Sequence, residues 1–285
     1  MRPYDAGRWL LLATLWSLQF LFMRVAVPVF GMAPVAEARA LFATLFLMPW
    51  VVLVVRQPLG VGKHWKDYLA VSITNNVLPF LLLSWAALFL PAGYLAIING
   101  LVPLWTAVIA VPVLGEPLGL RRAAGFVLGI AGVALIVNLG PVALDVRTLL
   151  ASAAAVAASA LWGWAGVMIK QRTGDMPPMA LAAGSIACAA MLMAPLWAWT
   201  PPVSSWTPEA ALAVLALGLL CTGLAYLPFF TLVRDIGPAR TLTVGLAVPV
   251  LGVGWGWLLL DERVTLAMLA GIVLVVSALV LVLKR

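Results

Sequence analysis

Residues 102–137 read VPLWTAVIAVPVLGEPLGLRRAAGFVLGIAGVALIV, and residues 248–283 read VPVLGVGWGWLLLDERVTLAMLAGIVLVVSALVLVL. A shift of 146 positions lays the first on the second without a gap. Val102 meets Val248, Pro103 meets Pro249, Leu114 meets Leu260, Glu116 meets Glu262 and Gly125 meets Gly271. The same shift puts Trp16 on Trp162 and Arg24 on Lys170. Apolar matches mean little in so apolar a chain. A shared Pro, Glu, Gly, Trp and basic residue in one register defines a tandem repeat, roughly 1–142 and 147–285.

Of the 285 residues, 65% are hydrophobic and 9% charged, and the mean hydropathy is +1.12. A soluble domain carries about 25% charged residues. This chain lacks the polar surface to face water on all sides and reads as an integral membrane protein in contact with the lipid bilayer. The net charge of +7 is spread between apolar runs rather than gathered into a patch, so nucleic acid is excluded as a partner. Cys188 and Cys221 both lie inside apolar runs and read as small buried residues, not as a disulfide or metal pair.

A bilayer core about 30 Å thick takes roughly 20 helical residues. Ten spans are predicted: 9–27, 35–55, 68–88, 93–114, 121–139, 148–169, 178–198, 209–232, 239–260 and 265–283. Turn-forming residues mark the breaks, as at Gly115 to Gly119, Gly174 to Pro178 and Gly237-Pro238. The first span resembles a signal peptide, but its counterpart at 148–169 could not be removed, so it belongs to the fold. The predicted fold is therefore an all-α polytopic membrane protein.

With the N-terminus in the cytoplasm, thirteen of the 17 basic residues fall on the inside. The outer side then holds only Arg24, Arg39, Arg147 and Arg263. Each repeat has five spans, so the second copy enters the membrane from the opposite face. Inverted repeats of this kind recur in secondary transporters, with the substrate near the midplane between the copies.

Two five-helix copies, each with a Pro thirteen residues before a Glu at the end of its fourth helix, resemble the drug/metabolite transporter superfamily, and within it the EamA-type exporters. The signature occurs twice, at Pro103…Glu116…Gly125 and Pro249…Glu262…Gly271. The density of tryptophan and the opening helix with Trp16 and Phe20 look most like the aromatic amino-acid exporters of the YddG type. The resemblance implies a basket of ten helices around a cavity lined by helices 1, 3, 4, 6, 8 and 9. It also implies export of amino acids or related metabolites across a bacterial inner membrane, with both termini cytoplasmic.

All ten acidic residues fall at span ends or in loops, and the one histidine, His64, lies in a loop. Proton-driven carriers usually hold an ionisable group within the membrane. Facilitated diffusion fits better, and Glu37 is the first suspect should coupling exist. An enzyme would need a buried catalytic constellation, and a receptor usually carries a soluble module; neither is visible. A DMT-type exporter of a drug, nucleoside or sugar is the main alternative. No cofactor or metal is expected. The sequence leaves the oligomeric state open; a monomer is compatible with it, as is a dimer contact on the glycine face of helices 5 and 10.

The mid-membrane polar residues are uncharged. Asn75 and Asn76 are adjacent, so at least one faces protein or a cavity. Their amides suit a zwitterionic substrate, or else only tie helices together. Asn99 and Gln19 are read in the same way, Gln19 sharing a helix face with Trp16. Trp16 and Trp162, with Tyr94 and Tyr226, are candidates for stacking on a planar substrate, against plain core packing. Pro79, Pro103, Pro228 and Pro249 should kink helices 3, 4, 8 and 9. Pro79 is a candidate for exposing a carbonyl to substrate, and the matched pair Pro103/Pro249 for gating. Glu116 and Glu262 are read as caps of the helices that follow them, with Pro117 in a first turn. Gly125, Gly129, Gly132 and Gly271 are read as a face for close packing. Arg24 and Lys170 are read as snorkelling to the interface.

Overall fold

The computed structural model describes residues 2–115, 119–139, 142, 145–172, 176–199 and 206–283. Glu116, Pro117, Gly174, Asp175, Lys284 and Arg285 lie outside the described residues.

Eight helices are long and apolar enough to cross a membrane: α1 (Pro3–Phe30), α2 (Met32–Val55), α3 (Val61–Ala86), α4 (Ala92–Leu114), α5 (Leu120–Leu139), α6 (Val146–Gln171), α7 (Pro178–Leu196) and α8 (Pro208–Ile236). Two shorter apolar helices follow, α9 (Val244–Leu260) and α10 (Leu266–Val282). The described residues contain no strand. The span expected at 239–260 is interrupted at Leu242-Thr243, which is why α9 is short. Thr243 Oγ1 donates to Arg240 O at 2.6 Å and Thr241 Oγ1 to Gly237 O at 2.9 Å. Such local side-chain bonds compete with the helical ladder.

The helix ends follow local chemistry. α4 stops at Gly115, whose φ of 67° is left-handed, and α9 stops at the repeat mate Asp261, with φ 53°. Asp is one of the few non-glycine residues that tolerates this region. α6 starts from Asp145, whose carboxylate accepts Thr148 N–H at 2.7 Å; that bond holds the Asp145 carboxyl below its usual range.

Three of the four expected kinks coincide with departures from α geometry. A π-helical turn, Ser72–Val77, precedes Pro79 in α3, and another, Leu219–Leu224, precedes Pro228 in α8. α4 breaks at Gly100-Leu101, just before Pro103. Pro249 differs: α9 runs through it as α-helix.

The helix contacts follow the 146-residue register of the sequence. α1 packs on α9 and on α8, while their mates α6 packs on α4 and on α3. The self-paired contacts are α2 on α7 and α5 on α10. In the first of these, Ala36, Ala40, Ala43 and Leu47 share one buried cluster with their mates Ala182, Ile186, Ala189 and Met193. In the second, a Cβ on Gly125 would meet Val282 Cγ2 at 2.8 Å and Ala278 O at 2.9 Å. A Cβ on its mate Gly271 would meet Ile136 Cγ2 at 2.5 Å and Gly132 O at 3.2 Å. Residues 282 and 278 are the mates of 136 and 132, so each helix presents the same patch to the other, as in an isologous interface. The outer faces stay apolar: Leu120 is 86% exposed and its mate Leu266 85%, as suits helices surrounded by lipid.

Candidate functional site

Arg39 stands at the eighth residue of α2 and is 5% exposed. Arg39, expected among the charges of the outer side, is turned into the bundle by α2, which begins at Met32. Its Nε donates to Thr222 Oγ1 and its Nη2 to Gln19 Oε1, both at 2.9 Å. The guanidinium lies over the Phe80 ring, 3.9 Å from the centroid. Cys221 and Tyr226 are close enough to feel its charge. Nη1 is buried without a hydrogen-bond partner among the described residues.

Each partner is held by its own helix. Gln19 Nε2 donates to Trp16 O at 2.8 Å, which aims its carbonyl oxygen at Arg39. Thr222 sits in the π turn of α8 and donates to Leu217 O at 3.0 Å, five residues back, as the wider turn allows. The hydroxyl therefore gives its proton to the backbone and turns a lone pair to the guanidinium.

The π turn of α3 carries the asparagine pair. Asn76 is fully buried, and its amide approaches Ser185 Oγ at 3.4 Å; Asn75 Nδ2 lies 3.4 Å from Asn76 Oδ1. Both contacts are long for hydrogen bonds. Pro79 has no N–H to offer the carbonyl four residues back, which is Asn75 O. Trp162 Nε1 donates to that oxygen at 2.8 Å. The carbonyl freed by Pro79 thus binds an indole of the other repeat.

Gln19, Asn75, Asn76, Trp162 and Tyr226 are accordingly brought together by α1, α3, α6 and α8. Trp16 stands beside them with its ring 5.5 Å from that of Phe229, which leads to Phe230 and Tyr226. Trp16, Asn75, Trp162 and Tyr226 each keep accessible surface, whereas Arg39, Gln19, Asn76 and Pro79 are buried.

Other candidates sit elsewhere. Tyr94 is fully buried and its hydroxyl donates to Ile136 O at 2.7 Å, joining α4 to α5. Asn99 ends the first half of α4, and its Oδ1 is buried without a hydrogen-bond partner. Pro103 packs beside Gly245, and Pro249 beside Gly100, so the broken helix α4 and its mate α9 cross at their prolines. Glu262 does not cap the helix that follows it. Its carboxylate accepts Ala92 N–H at 2.7 Å and Gly93 N–H at 3.1 Å, at the start of α4. Arg24 does not simply snorkel: Nη1 donates to Ala87 O at 3.0 Å at the end of α3. Glu37, expected at a span end, is buried inside α2.

Arg39, Ser185 and Phe80 were not among the sequence candidates. The repeat register could have found two of them. Position 39 is the mate of 185 and 76 the mate of 222, and all four are polar or charged inside apolar spans.

A bundle of apolar helices that encloses a polar and charged group defines a polytopic membrane protein. The chain belongs to the EamA-like transporter family, whose family model matches residues 8–138 and 149–284. It is similar to the uncharacterized transporter YvbV of Bacillus subtilis, at 26% identity over 95% of this chain and 88% of that one. It is also similar to the uncharacterized transporter YoaV of the same organism, at 24% identity over 79% and 78% of the two chains. Protein PecM of Dickeya dadantii is 26% identical over 78% and 74%. One crystal structure shares the fold with a TM-score of 0.67 at 20% identity, over 99% of this chain and 96% of that one.

Proposed function

We propose that this transporter exports small metabolites, aromatic or other neutral amino acids in the first place, by alternating access between two inverted five-helix repeats. The carrying observation is the position of the polar group. Arg39–Thr222 joins α2 to α8, and the mates Ser185–Asn76 join α7 to α3. Phe80, the ring under the guanidinium, has Tyr226 as its repeat mate. The group therefore straddles the relation that exchanges the repeats, where a carrier of this design holds its substrate. An odd number of spans per repeat makes that relation a two-fold axis in the membrane plane. The distribution of basic residues supports cytoplasmic termini, and the family resemblance supports a bacterial inner membrane.

Pro103 and Pro249 serve as the gating pair, since each packs on a glycine of the other's helix. Trp16, Trp162 and Tyr226 supply surfaces for an aromatic side chain, and Asn75 the adjoining amide. Transport is facilitative. The second reading, proton-coupled export of another substrate, is favoured by one observation, the burial of Glu37 within α2.

The test is counterflow of radiolabelled phenylalanine or tryptophan in liposomes holding the purified protein, with and without an imposed proton gradient. Counterflow indifferent to the gradient is expected. Accumulation that follows the gradient replaces the facilitative mechanism by coupling, with Glu37 as the group to change. No counterflow of either amino acid removes the substrate assignment.

A further inference from the structure

We infer that Arg39 is the anchor for a carboxylate on the transported molecule, so that the substrate class is set by an organic acid group joined to an apolar, ring-sized body, and an ammonium group is dispensable. This rests on the reading of the polar group as the substrate site of a carrier.

The first support is charge. A guanidinium cannot lose its proton at physiological pH, and a charge within a membrane span is costly. Here it is 5% exposed, and its two bonded nitrogens meet neutral oxygens, those of Gln19 and Thr222. Neutral acceptors stabilise a cation less than a carboxylate does. Both bonds given for the buried guanidinium among the described residues therefore end on neutral oxygens.

The second support is the free donor. Nη1 is buried and has no partner, while Nε and Nη2 are fixed. A guanidinium pinned at two nitrogens presents the remaining N–H groups in a rigid plane, and that plane suits a carboxylate oxygen. Pinning removes the side-chain disorder that binding would otherwise have to remove.

The third support comes from the mirrored contact. At the same place in the other half, Ser185 and Asn76 join α7 to α3 with neutral groups 3.4 Å apart. That helix crossing needs no cation. The guanidinium in its mate is more than the crossing requires, and its Nη1 takes no part in holding the helices together.

The body of the ligand is set by the neighbours. Phe80 underlies the guanidinium, and the ring series Tyr226, Phe230, Phe229 and Trp16 runs from beside it. None of these rings carries an acid; the acid nearest Arg39 in the chain is Glu37, buried two positions before it in α2. A zwitterion would leave the site with its positive charge uncancelled; a monocarboxylate would cancel it.

The test uses the full-length protein in detergent and four probes that share one phenyl body: 3-phenylpropionate, phenylalanine, phenethylamine and phenethyl alcohol. Affinities are read by isothermal titration for wild type, Arg39→Lys and Arg39→Gln. 3-Phenylpropionate should bind wild type at least as tightly as phenylalanine. Phenethylamine and phenethyl alcohol should bind about tenfold or more weakly than 3-phenylpropionate. Arg39→Gln should abolish the preference for the acid over the alcohol, and Arg39→Lys, which keeps charge but not the fork, should retain part of it. Should Arg39→Gln fail to fold, the ranking of probes on wild type decides alone. Amine or alcohol binding wild type as tightly as the acid overturns the inference, as does Arg39→Gln weakening acid and alcohol by the same factor. Binding of none of the four overturns it too. Counterflow of phenylalanine on the same preparation separates the two readings. Counterflow without acid preference sinks the carboxylate anchor alone. Acid preference without counterflow of any probe supports the anchor and sinks the aromatic amino-acid carrier.

Discussion

Two contacts occupy the same place in the two halves of the molecule. In one, Arg39 donates to Thr222 at 2.9 Å; in the other, Asn76 approaches Ser185 at 3.4 Å. Residue for residue they are repeat mates, 39 with 185 and 222 with 76. The positions correspond in the 146-residue register and the chemistry differs. One crossing holds a cation fixed by Gln19 and Thr222; the other holds neutral groups at marginal distance. Gln19 has Ala165 as its mate, so the second half also lacks the acceptor that steadies the guanidinium. A pair of equivalent crossings thus supplies the scaffold, and one substitution pattern makes the interior charged on one side of the exchange only.

The largest effect should come from breaking the charged crossing at its acceptor. Thr222→Val keeps the shape of the side chain and removes the oxygen that faces Arg39 Nε. A buried charged donor then loses its partner, at a cost of about 2–3 kcal/mol. Ser185→Ala removes only a long contact and should cost under about 1 kcal/mol. Denaturant unfolding in micelles compares the two. Equal costs would mean that the crossings are energetically alike and that the guanidinium adds nothing to the first.

The next test asks how closely the halves match where they should be alike. Gly125→Ala and Gly271→Ala each push a methyl against backbone and a branched side chain across the α5–α10 contact. Overpacking of this kind costs about 1–3 kcal/mol, more than the gain of under about 1 kcal/mol in helix propensity. The neighbours are packed helix, which cannot move aside cheaply. Because the patch is self-complementary, both variants should lower the melting temperature, and by similar amounts. A fall in only one would show that the contact is less symmetric than its geometry.

The sequence reveals the repeat easily, because an ungapped register of Pro, Glu, Gly and Trp survives divergence when each residue serves the same crossing twice. It also points to Gln19, Asn75, Asn76, Trp162 and Tyr226, since uncharged polar and aromatic groups inside apolar spans need partners. Arg39 was hidden by its place eight residues into a helix, where a long basic side chain ordinarily reaches back to the interface. Direction, not depth, buries it, and direction depends on the neighbours of α2. Glu262 shows the same limit. Its chain neighbours suggest a cap on α10, but its carboxylate serves α4, 170 residues away in the chain. Tyr94 satisfies its hydroxyl on α5, a choice set by packing that residue type cannot foretell.

The smallest effect expected here probes a link between the halves rather than a likeness. Trp162 of the second repeat donates to Asn75 O of the first, the carbonyl that Pro79 leaves without a helical donor. Trp162→Phe keeps an aromatic ring and removes the N–H, so it should cost about 1–2 kcal/mol. Pro79→Ala restores an N–H at the position from which a helix would serve Asn75 O. In that background Trp162→Phe should cost about 1 kcal/mol less, a coupling read from the double-mutant cycle by denaturant unfolding. Additive costs would show that the proline does not create the need which the indole meets. Coupling of the expected sign would make Pro79 and Trp162 one unit. The π turn that positions Asn75 and Asn76 would then depend on a donor from the opposite repeat, and a movement of α6 against α3 would reach both amides through a single bond.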